Sequence, residues 1–274
     1  MRHISLFSGI GGFDLAAEWM GWENIASCEI NPFCNRILAH YWPNAYHHDD
    51  IHTLTIELLK NELDKRFAGW EADDIILTGG FPCQPYSNAG RRLGKEDSRH
   101  LWPEMLRVIR EVRPRYIVGE NVSGLVNWSD GLVFEEVQAD LENEGYEVQA
   151  FILCAAATGA PHRRDRIFII ARINSDSMRQ GLQGRQKQRE FRKVRTKHDK
   201  QPTRIFCTTW QNFPTQSALC VRNDGIPARL DGITFPKWRN ESIKAAGNAI
   251  VPQVAFRIFQ AIELINEQNS VTSP

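Results

Sequence analysis

The sequence predicts an α/β protein, a mostly parallel sheet with helices on both faces, carrying a small irregular lobe late in the chain. Three observations lead there. From residue 4 to residue 171, short β-branched or apolar runs alternate with helical stretches. The first apolar run opens directly into a glycine-rich turn, and beyond residue 171 the composition turns basic and rich in glutamine. At 274 residues the chain can hold one large domain and a smaller one, since domains usually take roughly 100 to 200 residues each.

Strands are expected at residues 4–7, 25–29, 75–78, 116–119, 148–153 and 167–171, each bounded by glycine, proline or polar side chains. Helices are expected at 13–20, 32–41, 54–67, 101–112 and 134–143, where apolar residues recur at three- and four-residue spacing. A terminal helix over 249–265, with Val254, Ile258, Ile262 and Ile265 on one side, should pack back onto the main domain. Residues 1–171 and 233–274 are therefore assigned to one domain and 172–232 to the lobe.

Hydrophobic residues at 42% and charged residues at 24% match a soluble globular protein, and no apolar run is long enough to cross a bilayer. The first residues lack the apolar stretch and small-residue cleavage site of a signal peptide, so a cytoplasmic location is the expectation. Cysteines at 28, 34, 83, 154, 207 and 220 form no C-x-x-C pair and no zinc-ligand spacing, so no metal site is expected. The net charge of zero decides nothing about a nucleic-acid partner. Its distribution says more: residues 172–204 hold eleven Lys or Arg against Asp176, Glu190 and Asp199, with few large apolar side chains. That stretch reads either as a solvated insertion or as a loop that contacts phosphates, and composition alone leaves the two even.

Chemistry-bearing residues fall at the ends of the expected strands, where open α/β sheets bind ligands. The turn Phe7-Ser8-Gly9-Ile10-Gly11-Gly12 lets a nucleotide-like ligand approach the backbone, although a tight connection has the same look. Glu29 ends the second strand, where a carboxylate can accept hydrogen bonds from both ribose hydroxyls of an adenosine group. Asp50, before Ile51, either accepts from an adenine amino group or caps a helix. Gly80-Phe81-Pro82-Cys83-Gln84-Pro85 places a cysteine on a loop shaped by glycine and proline, a setting that a buried structural cysteine does not need. Glu120, after Gly119, brings a carboxyl group to the same edge.

Five stretches in order, Phe7 to Gly12, Gly80 to Gln84, Glu120-Asn121-Val122, Arg163-Arg164-Asp165-Arg166 and Gly247-Asn248, resemble the motif series of DNA cytosine-5 methyltransferases of bacterial or phage type. The resemblance spans nearly the whole chain. It implies the Rossmann-like fold of S-adenosylmethionine-dependent methyltransferases and S-adenosyl-L-methionine as cofactor, held by Phe7, Gly9, Ile10, Gly11, Gly12, Glu29, Ile30, Asp50, Ile51, Pro82, Asn248 and Ala249. It implies that Cys83 attacks carbon 6 of a flipped-out cytosine, that Glu120, its pKa raised, protonates N3, and that Arg164 and Arg166 sit beside base and nucleophile. Arg166, at a strand start, has a structural ion pair as its other reading. Gln84, Ser87, Arg91 and Arg92 would contact DNA from a closing loop, and residues 172–232 would be the target-recognition region.

By the same resemblance the partner is double-stranded DNA, with a cognate restriction endonuclease left open and a monomer as the default. Two departures stand out: His162 where the family commonly has glutamine, and Ser5 where many members have aspartate near the methionine part of the cofactor. Two other functions stay open: cytosine-5 methylation of tRNA on the same scaffold, and a catalytically silent DNA-binding relative. A glycine-loop oxidoreductase is remote, because the Pro82-Cys83-Gln84 loop would have no task in it.

Overall fold

A computed structural model describes residues 1–82, 101–126, 131–160, 162–173 and 235–271, and the structure is a doubly wound α/β sheet. Its elements run β1 (Arg2–Leu6), α1 (Gly12–Trp19), β2 (Glu23–Cys28), α2 (Pro32–Tyr41), β3 (Tyr46–His48), α3 (Ile56–Arg66) and β4 (Ile75–Gly79). They continue with α4 (Trp102–Val112), β5 (Tyr116–Val122), α5 (Leu132–Asn143), β6 (Tyr146–Cys154), β7 (Asp165–Ile173), α6 (Phe235–Asn248) and α7 (Pro252–Val271).

The seven strands lie in the order β3-β2-β1-β4-β5-β7-β6. Strands β3, β2, β1, β4 and β5 pair in parallel, while β7 inserts antiparallel between β5 and β6. Consecutive residues of the central strands are all buried: Ile75 and Leu77 join the core on one side, Ile76 joins the core on the other. A continuous apolar run is what a strand covered on both faces requires.

The two cores assign the helices to faces. On one face α3, α4 and α5 contribute Leu59, Leu63, Met105, Ile109, Val137 and Leu141. On the other, α1 and α7 contribute Phe13, Ala16, Ala17, Ile258 and Phe259, with Phe13 stacked on Phe259 at 6.1 Å and Trp22 against it at 4.9 Å. Phe259 is fully buried, so the C-terminal helix closes this face as the apolar spacing predicts.

Local signals set the helix ends. Asn31 accepts from the Phe33 N–H with Pro32 in the first turn, and Thr55 accepts from the Leu58 N–H. Expected and observed elements differ most in five places. β3 was not expected, because a three-residue Tyr-His-His strand carries no alternation. The helix expected from 54 begins at Ile56, since a 3-10 turn over Ile51–Thr53 precedes it. α6 was not expected as a helix, its proline and glycine reading as breakers, and α7 starts three residues later than expected and runs to Val271. β7 extends to Ile173, so the boundary at 172 falls inside a strand; 174–234 lie outside the described residues.

Candidate active site at the carboxyl edge of the sheet

The carboxyl ends of β1, β2, β4 and β5 share one edge, and two groups of side chains gather there. The first surrounds the turn after β1. Phe7, Gly9 and Gly11 take positive φ angles of 52°, 56° and 83°, which folds the chain into a cradle between β1 and α1. The glycines have different reasons. A Cβ on Gly11 would lie 2.4 Å from the Trp42 ring and one on Gly12 would lie 2.7 Å from the Ile250 carbonyl oxygen, so packing demands both. Gly9 meets nothing within 4 Å, which leaves open space against its backbone where a ligand can approach.

Glu29, just past β2, faces that space. Its Oε2 accepts from the Gly9 N–H and its Oε1 from the Asn31 N–H, both at 2.8 Å. Each carboxylate oxygen has two lone pairs, so one on each remains for a pair of hydroxyl donors. Asn35 braces the same turn, donating to the Glu29 carbonyl at 2.6 Å and to Asp49 Oδ1 at 2.8 Å. Ile30 is 73% exposed, an apolar surface beside the carboxylate. Asp50 caps the 3-10 turn, its Oδ1 accepting from the His52 N–H at 3.0 Å. Both readings of Asp50 thus remain compatible, since one oxygen caps and the other can accept. The Ile51 side chain is in the core, so a ligand reaches its backbone alone.

The second group lies where β4 and β5 end. β4 pairs with β5 through Gly79 and Gly119, and β5 then runs on to Val122 against β7. Glu120 is therefore inside a strand, opposite Phe168, on the face of α7. Its side chain is 12% exposed and Arg166 Nε lies 3.0 Å from Oε1. Burial raises the Glu120 pKa above the usual carboxylate range; Arg166 and Arg164 pull the other way and do not cancel it. The depression over Glu120 is walled by Leu153, Ala155, Phe168, Val251 and the two arginines.

Arg164 is occupied. Its Nη1 donates to the Gly247 carbonyl and its Nη2 to the Ala249 carbonyl, both at 2.8 Å, while its buried Nε has no partner. It pins the α6–α7 junction, with Asn248 and Ala249, over the pocket. Arg163 ion-pairs with Asp165 at 2.9 Å, and His162 is exposed.

The chain leaving β4 passes this carboxylate. A Cβ built on Gly80 falls 3.4 Å from Glu120 Oε2. Asn121, buried, donates through Nδ2 to the Phe81 carbonyl at 3.0 Å, and Phe81 packs on Trp102 at 5.1 Å. Pro82 is exposed at the edge. Cys83, Gln84, Ser87, Arg91 and Arg92 lie outside the described residues. Cys28 and Cys34 are poor candidates for a nucleophile: burial, with Glu29 nearby, pushes their thiols up to about 12 and about 11.

Sequence reasoning missed several members. Ser5 is wholly buried on the α1 face, sealed from any ligand, so its difference from aspartate acts beneath the turn. There it adjoins His3, whose Nδ1 bonds Asn24 Oδ1 at 2.6 Å and whose Nε2 bonds Thr78 Oγ1 at 2.8 Å, and Asp14, 2% exposed. Nothing in the sequence joins these five residues. The Asn31-Pro32 pair was a findable cap signal.

Comparison with known proteins agrees with this arrangement. Residues 1–217 match the family model described as C-5 cytosine-specific DNA methylase. The Type II methyltransferase M1.HphI of Haemophilus parahaemolyticus is 34% identical over 176 residues, 63% of this chain and 46% of that protein. M.HhaI of the same organism is 31% identical over 173 residues, covering 62% and 48%. The matched part thus spans about half the length of these relatives. Among solved structures, a DNA modification methyltransferase encoded within an E. coli prophage superposes with a TM-score of 0.54 at 25% identity, covering 67% of this chain and 49% of that one. S. pombe Dnmt2 methyltransferase superposes at 0.50 with 28% identity, covering 68% and 57%. The sheet order is thus that of a methyltransferase fold, and with its edge carrying a braced carboxylate, a glycine cradle and a buried glutamate paired to arginine, the chain belongs to the C-5 cytosine-specific DNA methylase family.

Proposed function

We propose that the protein transfers a methyl group from S-adenosylmethionine to carbon 5 of a cytosine flipped out of double-stranded DNA at a short specific sequence, through a covalent bond to Cys83. The observation that carries it is the exit of β4, where a Cβ built on Gly80 would fall 3.4 Å from Glu120 Oε2 and the Phe81 carbonyl, two residues before the cysteine, is tied to β5 by Asn121. In this reading the cysteine that follows joins Glu120 as nucleophile and proton donor at one edge.

The first group of residues fits the cofactor. Glu29 has acceptor capacity for a ribose diol, Asp50 for an amino group, Ile30 offers an apolar face to a flat base, and Gly9 leaves room at the backbone. Phe7, Ile10, Gly11, Gly12, Ile51, Pro82, Asn248 and Ala249 complete the set. Bound there, S-adenosylmethionine supplies an electrophilic methyl group.

The chain's own residues do the rest. Cytosine carbon 5 is a poor nucleophile until the Cys83 thiolate adds to carbon 6, forming an S–C bond and pushing an electron pair towards N3. Glu120, whose pKa burial raises above the usual carboxylate range, donates a proton to N3 and neutralises that charge. Arg166 then faces a glutamate that has become a carboxylate, 3.0 Å away, and holds it in place for the return of the proton. Loss of the carbon 5 proton to a water expels the thiolate. Extruding the base costs a few kcal/mol, and contacts from Gln84, Ser87, Arg91 and Arg92 to the DNA would offset it. Residues 172–232 are the target-recognition region in this reading and 1–171 with 233–274 the catalytic domain. It also carries a cytoplasmic monomer, with a cognate restriction endonuclease left open; no described helix is long and apolar enough to cross a membrane.

The test is to incubate the protein with radiolabelled S-adenosylmethionine and unmethylated genomic DNA, with Cys83→Ala and a tRNA substrate alongside. Label at one short DNA motif, absent with Cys83→Ala, is the expected result. Label on tRNA alone moves the substrate to RNA, and no label with intact cofactor binding leaves a silent DNA-binding relative.

A further inference from the structure

The turn that carries Asp50 and Ile51 is held from behind by a cation on another element. Arg107, on α4, donates through Nη2 to the Ile51 carbonyl at 2.7 Å and through Nη1 to the Leu54 carbonyl at 2.9 Å. Its guanidinium is itself locked: Nε donates to Glu104 at 2.9 Å and Nη1 to Glu111 at 3.1 Å, one turn behind and one turn ahead on the same helix. These are charge-assisted bonds to two backbone carbonyls three residues apart, a spacing that suits a rigid planar fork and not a single ammonium. A second hold comes from the strand side, where His48 bonds Thr53 Oγ1 at 2.8 Å and that hydroxyl donates to the Asp50 carbonyl at 3.0 Å.

A surface helix needs no such anchor to a distant turn for its own stability, because α4 already buries Trp102, Met105, Leu106, Val108, Ile109 and Val112. What the anchor fixes is the peptide between Ile51 and His52, whose carbonyl Arg107 holds and whose N–H donates to one oxygen of Asp50, and hence the orientation of the Asp50 carboxylate. We infer that Arg107 is a positioning residue for the adenine end of the cofactor: it sets the turn so that the free oxygen of Asp50 meets the exocyclic amino group of the base. This deepens the proposed function and rests on its assignment of an adenosine cofactor to this edge.

The experiment compares two ligands on the full chain by titration calorimetry: S-adenosylhomocysteine, which has the amino group, and S-inosylhomocysteine, which has a carbonyl there. The wild-type protein should prefer the first. Arg107→Met should weaken S-adenosylhomocysteine by about tenfold or more, as loss of a charge-assisted bond predicts, and should shrink the preference over the inosyl ligand. Arg107→Lys, which keeps the charge and reaches one carbonyl, should recover part of both, and it stands in should the methionine variant fail to fold. Equal weakening of both ligands, or none, overturns the proposal, because a merely structural arginine would not change the choice between bases. A wild-type protein that binds neither ligand overturns the cofactor reading and this inference with it.

Discussion

At the β1–β2 end of the edge, Glu29 is held by two neutral backbone N–H groups at 2.8 Å; at the β5–β7 end, Glu120 is held by one guanidinium at 3.0 Å and by burial. The first carboxylate keeps open acceptor capacity and adjoins exposed surface, as a binding group must. The second is set between a low-dielectric wall, which favours the acid, and a cation, which favours the anion, and the wall wins. A binding site needs fixed hydrogen-bond geometry, which turns supply. A proton-transfer site needs a tuned pKa, which only packing supplies.

The sharpest way to break this contrast is to neutralise each carboxylate in turn. Glu120→Gln removes the transferable proton donor, and turnover should fall by about 10² to 10⁴ with cofactor affinity unchanged. Glu29→Gln turns one acceptor into a donor that faces a backbone N–H, so cofactor affinity should drop roughly 10- to 100-fold while turnover at saturating cofactor stays near wild type. Single-turnover kinetics and calorimetry on both variants read the two effects separately. If Glu29→Gln lowered turnover as much as Glu120→Gln, the division of labour would be wrong.

A smaller pair of changes separates packing from ligand space within the cradle. Gly12→Ala drives a methyl group to 2.7 Å from the Ile250 carbonyl, an overpacking that should cost about 1 to 3 kcal/mol of stability. Gly9→Ala enters open space, so apart from about 1 kcal/mol for its left-handed backbone its effect should fall on cofactor binding. Denaturant melts with and without cofactor distinguish them: without cofactor Gly12→Ala should lose more stability than Gly9→Ala, and the added stabilisation by cofactor should shrink more for Gly9→Ala.

The most conditional effect, visible only as pH changes, lies beneath the cradle. Burial lowers His3 to about 4 and raises Asp14 to about 7, so the folded pair carries its one proton on Asp14 across most of the acidic range. Asn24 Nδ2 donates to the Asp14 carbonyl, which leaves its oxygen to accept from His3 Nδ1–H. Unfolded, between the ordinary carboxylate and imidazole values, the same single proton sits on His3. Folding therefore changes no proton count there, and the pair adds no pH dependence. Asp14→Asn exposes the histidine: its neutral folded form then loses stability as pH falls from about 6.5 to about 4, with a slope of about 1.4 kcal/mol per pH unit. Thermal melts across that range check it, and a flat profile for the variant would show that burial does not depress His3.

Much of the sheet was legible because its strands are buried on both faces and so read as unbroken apolar runs between turn residues, as Ile75 to Gly79 does. The short, polar β3 and the helix α6, with Pro236 and Gly247 in it, carry their identity in what they pair with and pack on, and local pattern does not record that. The site divides in the same way. Glu29, Asp50 and Glu120 were legible as candidates because each stands at or near a strand end in a recognisable run. Arg107, Asn121 and the His3–Asp14 pair were not, because each acts on a partner at least 11 residues away across an element boundary.

The sequence by itself therefore determined the alternation of elements, the edge where chemistry collects and the residue types brought to it, since these follow from periodicity and turn chemistry within a few residues. Tertiary structure alone decided that Gly11 and Gly12 serve packing while Gly9 faces open space, that Arg164 is committed to the α6–α7 junction, and that Glu120 is tuned by burial against Arg166. The physical reason is that a side chain's free space, hydrogen-bond partners and dielectric surroundings belong to the packed neighbours that folding brings to it, and those neighbours lie far away along the chain.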